Sequence, residues 1–497
     1  MKKRIISILL LTALICSSCG SENAETGQDE TSAPTTIETT EGAETDEFGR
    51  EFVASALPDK LDFKDTTISF WCRNDNGFDY EFAVEESNGD VMNDVVFNRN
   101  RKVEERLGVK FEFKTVSFTN TTEIPELQTS IMAGSGDYDI AAVHCSQGAQ
   151  LVTIGAYRDF NSAKYIDLDK PWWNQTLVDE LNVYDFLPML CGDISLSATM
   201  RTNVTFFNKK LYDQYYDENI YDVVKEGKWT LDKLKEMTKD VYRDTDGNGK
   251  MDGNDFYALG FMSAATPLDA FVAALDLSIT TKNADGIPEL SFYSERTINA
   301  FEKLTDIVMN NPGTYTNPRS EAAGALLLFR QKFLDGGIIF NFTNILETEY
   351  LRDLTDGYGI LPLPKYDENQ DGYYTLPHNA FSLMVIPSDS TKPDEAAAAL
   401  EALAEESWRS VTPTYYEVAL GAKYFHDDES AQMFDLIMKG IKLNFGSVYQ
   451  TTQIGTIGWL IRDLSQEFSS TYAANKNKYE TAMQNLLDGL KALGESN

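Results

Sequence analysis

The sharpest chemical pattern in the chain is DTDGNGKMDGND, residues 244–255. Calcium takes six to eight oxygens, and a twelve-residue loop supplies them from positions one, three, five, nine and twelve, with a backbone carbonyl at seven and glycine at six. Those positions are Asp244, Asp246, Asn248, Asp252, Asp255, the carbonyl of Lys250, and Gly249. Asp255 stands where glutamate is usual, so its shorter arm binds through one oxygen or through water. The expectation is a structural Ca2+ ion; the competing reading is an acidic turn without one. A second run, Asp367 to Gly372, begins alike but meets His378 at its twelfth position and reads as a surface turn.

Other reactive patterns are missing. His144, His378 and His426 lack metal-ligand spacing, and there is no Gly-x-Ser-x-Gly, no His-Glu-x-x-His and no phosphate-cradling glycine loop. This lowers the odds of a hydrolase, a metalloenzyme or a nucleotide-driven machine. Three cysteines, Cys72, Cys145 and Cys191, lie in the body, an odd number without a close pair, which excludes a disulfide scaffold or zinc site.

The elements that would position a site alternate. Thr66 to Cys72 reads as a strand. Asp90 to Leu107 reads as a helix with an apolar stripe at Val91, Val95, Val103 and Leu107, stopped by Gly108. A strand over Val109–Val116, a helix over Glu123–Met132 and a strand over Asp139–His144 follow. This order predicts a parallel α/β sheet, and ligands of such sheets sit beyond the carboxyl ends of the strands. That places Trp71 to Asn76 and His144 to Gln147 at a site. Cys72 and Cys145 would lie at the same edge, either disulfide-bonded or as separate buried thiols.

The ends and the composition set the compartment. Met1-Lys2-Lys3-Arg4, an apolar run from Ile5 to Ile15, and Ser17-Ser18-Cys19-Gly20 read as an export signal; the run is too short to span a bilayer permanently. The cysteine at the cleavage point resembles a bacterial lipobox, which implies a lipid on Cys19; the alternative is a plain secretory signal that happens to contain cysteine. From Gly20 to about Gly49 the chain is rich in Ser, Thr, Glu and Asp, too polar to bury a core, and reads as an extended tether. The net charge of −35 becomes −38 once the three leading cations leave, which argues against nucleic acid and anionic lipid as partners. The remaining body, roughly 440 residues, is more than one core usually serves and predicts two lobes.

Several phrases, taken in order, resemble extracellular solute-binding proteins of the maltose-binding type (family 1), the lipoprotein component of ABC importers. They are Ser135-GDYDIA, Gly155-AYRDF, Val204-TFFNKKL, Lys228-WTLDKL and Gly359-ILPLPK, and the likeness runs from about residue 63 to the C-terminus. The resemblance implies an α/β, periplasmic-binding-protein-like fold: two lobes, each a mainly parallel sheet flanked by helices, joined by hinge strands around a ligand cleft. On that basis residues 1–19 are a lipoprotein signal peptide and 20–62 a disordered tether. Lobe one is 63–197 plus 380–403, and lobe two 198–379 plus 404–497.

Sugars combine hydroxyl edges with an apolar C–H face, so their sites pair aromatic plates with hydrogen-bonding side chains. The ligand candidates are Trp71, Arg73, Asp75, Ser146, Gln147, Arg201, Asn203, Asn344, Tyr415 and Tyr416. Trp71 and the Trp172-Trp173 pair could equally be core; Tyr449 and Trp459 fit helical packing. The expected function is an extracytoplasmic, lipid-anchored monomer, not an enzyme. It captures a solute, a sugar or oligosaccharide, and delivers it to ABC permease subunits. The alternatives are an exported calcium-stabilised glycosidase or lyase, which would need two carboxylates across a cleft, and a sensor that presents ligand to a membrane kinase.

Overall fold

A computed structural model describes residues 52–75, 77–117, 123–263, 265–351, 354–420, 428–449, 454, 460, 462–464 and 467–496. The leader, Cys19, most of the tether, Asn76, His426 and Trp459 lie outside them.

β-Branched and aromatic residues favour pleated strands, and the first such run forms β1, Thr66–Arg73. The expected alternation follows: α1 (Val91–Leu107), β2 (Val109–Val116), α2 (Glu123–Ala133) and β3 (Ile140–His144). Asp90 caps α1 by accepting from the amides of Met92 (3.0 Å) and Asn93 (3.1 Å), and Gly108 ends it at φ 61°. The expected stripe of α1 holds at Val103 and Leu107 and partly at Val95, but the buried face is wider than those residues. It is Met92, Val96, Arg99, Asn100, Val103 and Leu107, while Val91 is exposed. Two polar residues fill the middle of the stripe because each is satisfied there. Arg99 donates to the carbonyl of Glu81 (2.9 Å) and the hydroxyl of Ser407 (3.1 Å), and Asn100 to the carbonyl of Phe82 (2.7 Å).

Nine further segments complete the strands among the described residues, in the order β4 Asn203–Asn208, β5 Tyr242–Arg243, β6 Phe256–Phe261, β7 Thr280–Lys282 and β8 Pro288–Leu290. Then come β9 Thr314–Thr316, β10 Ile338–Asn344, β11 Tyr358–Leu361 and, returning to the first sheet, β12 Ser382–Val385. The first sheet has the order β12-β3-β1-β2, parallel except for β12. The second has the order β11-β4-β10-β6-β5, with β9 also on β6, and is mixed: β10–β6 and β6–β9 are parallel, the rest antiparallel. Strands β4, β6 and β10 are buried along their whole length, as central strands covered on both faces must be. The two sheets are the centres of two lobes, the expected α/β architecture.

The chain passes between the lobes at residues 201–203 and 376–381, and the two passages run side by side. The amide of Asn203 donates to the carbonyl of Leu376 (3.2 Å), and that of His378 to the carbonyl of Arg201 (2.8 Å). The helix Pro393–Glu406 packs on α1, then runs through a π-helical turn, Ser407–Val411, into the helix Thr412–Leu420. The last helix, Phe468–Gly494, touches the turn Ala149–Ile154 of the first lobe and the helix Glu295–Met309 of the second. The folded body starts by Val53, ahead of the expected boundary at residue 62: Arg409 donates to the carbonyl of Val53 (2.7 Å), and the Ser55 hydroxyl to Glu405 (2.6 Å).

Candidate functional site

Strand β1 ends at Arg73, whose side chain is buried although charged. It donates to the carbonyl of Ala380 (3.0 Å) on the second hinge passage and lies 3.4 Å from the Asp75 carboxylate. Its guanidinium sits 3.8 Å from the ring centre of Phe78, and that of Arg201 sits 4.5 Å from the same ring. One aromatic ring thus holds a cation from the end of β1 and a cation from the hinge, an arrangement stabilised by the negative face of the ring. Burial, then the charge of Arg73, lowers the pKa of Arg201 to about 10.

Strand β3 ends nearby at His144, beside Ser382 of β12. Ser146 is buried with its hydroxyl 3.4 Å from His144 Nδ1, and Gln147 is half-buried on the same turn. Burial first, then Arg73, His378 and Arg201, pushes the His144 pKa well below 6.5. Burial, then Arg201, Arg462 and Arg73, holds His378 at about 3. Both imidazoles are neutral at neutral pH.

On the second lobe, Asn203 of β4 stands directly opposite Asn344 of β10. Both are buried, and the Oδ1 atom of each has no hydrogen-bond partner among the described residues. A buried acceptor left unmade costs about 1–3 kcal/mol, so two at one strand end mark a place built for donors. The ends of β6 and β9 border a cavity of about 280 Å3 lined by Phe261, Ser263, Asn317 and Arg462. Arg462 is paired bidentately with Asp269.

The candidates from sequence therefore divide. Arg73, Asp75 and Arg201 meet around Phe78; Asn203 faces Asn344; Ser146 and Gln147 sit by His144. Trp71 is 1% exposed and belongs to the core. Tyr416 packs edge-on against Phe434, 5.0 Å between ring centres. Tyr415 is buried beside Glu349, its hydroxyl without a partner among the described residues. Trp172 and Trp173 are core: both indoles donate to Glu401 (3.0 and 2.9 Å). Cys72, Cys145 and Cys191 are free buried thiols, so Cys72 and Cys145 form no disulfide. Phe78, Tyr80, Glu349, His378 and Arg462 were not singled out as ligand candidates. The strand-end rule stopped just short of Phe78 and Tyr80, on the segment that follows β1; Glu349, His378 and Arg462 come from distant segments and carry no local signal.

The acidic loop brings carboxylate oxygens of Asp244, Asp246 and Asp255 within 4.8 Å of one another. Asp244 accepts from the amides of Gly247 (2.7 Å) and Gly249 (2.9 Å), which closes the turn. Asp255 is buried and accepts from Tyr242 (2.9 Å) and the amides of Thr245 and Asp252 (3.1 Å each). The Asn248 amide donates to Asp246 (2.9 Å) and Asp252 (3.1 Å), so it must turn before its oxygen can ligate an ion. The Lys250 carbonyl accepts weakly from Tyr242 (3.4 Å). Three carboxylates within reach of one point form a donor set that suits a hard cation. Buried Lys332 ties the loop to the second lobe through the carbonyls of Gly253 and Asp255. The run Asp367–Gly372 is a turn closed by Asp367, which accepts from the amides of Asn369 and Gln370.

Two hinged α/β lobes with a polar site at their junction define a binding-protein architecture. The sequence profile of the bacterial extracellular solute-binding protein family matches residues 87–409, and the chain belongs to that family, whose members bind rather than transform. No curated protein gives a match. Among solved structures it is similar to the GacH receptor of Streptomyces glaucescens, described with acarbose (12% identity, TM-score 0.54, 87% of this chain and 99% of that one). It is likewise similar to the galacto-N-biose-/lacto-N-biose I-binding protein of the ABC transporter from Bifidobacterium longum (15%, 0.52, 87% and 98%). A third is maltose-bound MalE3 of T. maritima (14%, 0.51, 86% and 100%). At these identities the likeness shows the fold.

Proposed function

We propose that this protein captures a sugar or oligosaccharide between its two lobes and hands it unaltered to an ABC permease. The observation that carries this reading is the facing pair Asn203 and Asn344, two buried amide oxygens lacking donors beside the hinge. Saccharide hydroxyls supply donors of that kind, and the flanking Arg73, Asp75 and Arg201 supply partners of both signs. The sugar-binding proteins of the same fold support the ligand class. The reading includes a lipid on Cys19 that holds the protein at the outer face of the cell membrane, and a Ca2+ ion in the Asp244–Asp255 loop. There the ion would staple the loop; the hinge chemistry does not use it.

A thermal-shift screen against mono- and oligosaccharides tests the proposal. A ligand at about 100 times its Kd adds about 2.7 kcal/mol of stability, and Asn344→Leu should lose the shift while folding normally. A panel that leaves the melting temperature unmoved would refute the ligand class.

A further inference from the structure

Outside the hinge passages several hydrogen bonds join the lobes among the described residues, among them the Phe445 amide to Glu180 (2.8 Å) and one close to the strand ends of the site. The hydroxyl of Tyr80, seven residues beyond β1, donates to Oε1 of Glu349, five residues beyond β10, at 2.6 Å. Each partner sits next to a residue fixed rigidly into its own lobe. Glu81 is wholly buried, and its two oxygens accept from the Ser197 amide (2.9 Å) and the Ser382 hydroxyl (2.7 Å). Its carbonyl also accepts from Arg99 (2.9 Å). Across the junction, Glu347 is buried and held bidentately by Arg330 (2.6 and 2.8 Å), whose guanidinium lies 3.5 Å from the Tyr350 ring centre. Side chains also close on the Gly77 backbone at this junction. Gly77 has φ +84°, and a Cβ placed on it would stand 3.4 Å from Leu346 and 3.3 Å from Met200.

From this we infer that Tyr80 and Glu349 form an inter-lobe latch that biases the protein toward closure before any ligand arrives. A bond between two rigid anchors is made only when the lobes approach, so its free energy enters the open–closed equilibrium. A hydrogen bond to a charged group shifts that equilibrium by on the order of tenfold. The inference needs two moving lobes but no particular ligand, so it stands or falls separately from the saccharide proposal.

The test is small-angle X-ray scattering on the unliganded full chain and on Tyr80→Phe, Glu349→Leu and the double variant, with melting curves to confirm folding. Tyr80→Phe keeps the ring and its packing. Each single variant should raise the radius of gyration, and the double variant should raise it no further than either alone, the signature of one shared interaction. An unchanged radius in the folded single variants, or additive increases in the double, would overturn the latch.

Discussion

Glu401 and His378 are buried groups whose protonation pulls stability in opposite directions. Burial raises the Glu401 pKa to about 7 despite the donors of Trp173, Asp167 and Trp172. Its value in the unfolded chain is near 4.5, so its contribution is full below that and is lost as pH rises through about 7. Glu401→Gln should flatten stability over this window. It should also cost about 1–3 kcal/mol, because an amide NH2 then faces one of two buried indole N–H groups. His378 is the reverse case: held near 3 against an ordinary 6.5, it contributes fully above 6.5 and loses that contribution as pH falls toward 3. His378→Gln should remove the loss. Denaturant titrations across both windows check the two slopes, and equal slopes in variant and parent would refute the assignment. Neither role is visible in sequence, since Trp172 and Glu401 are 229 residues apart.

At the level of elements, α1 shows what local pattern conveys and what it omits. Asp90 and Gly108 fixed the ends in advance, because caps act through neighbouring backbone groups. Val103 and Leu107 were legible, whereas Arg99 and Asn100 were not, because they are core residues only by virtue of acceptors offered by Glu81, Phe82 and Ser407. The acidic loop is the opposite case, with every donor inside one short stretch and thus legible. Calcium in excess should raise the melting temperature, a chelator should reverse the rise, and Asp244→Ala should abolish both responses. An unaltered melting curve with and without calcium would leave the loop an acidic turn.

For the whole molecule, the alternation of strands and helices conveyed the first sheet, and the order of short phrases conveyed two lobes. The strand-end rule placed Arg73, Asp75, Ser146 and Gln147 just at or beyond the ends of β1 and β3, where they lie, because it depends on topology alone. It could not find Tyr80 or Glu349, which meet across 269 residues. It also could not tell that Trp71 points into the core, because a strand buried on both faces has no polar side to reveal its orientation. The central claim is that two lobes grip one saccharide and release it unchanged. Isothermal titration of the full chain with the best saccharide from the thermal screen, followed by chromatography of the recovered ligand, tests it most directly. The account predicts one ligand bound per chain and recovery of the same saccharide in full; shortened or otherwise converted saccharide in the recovered fraction would contradict it.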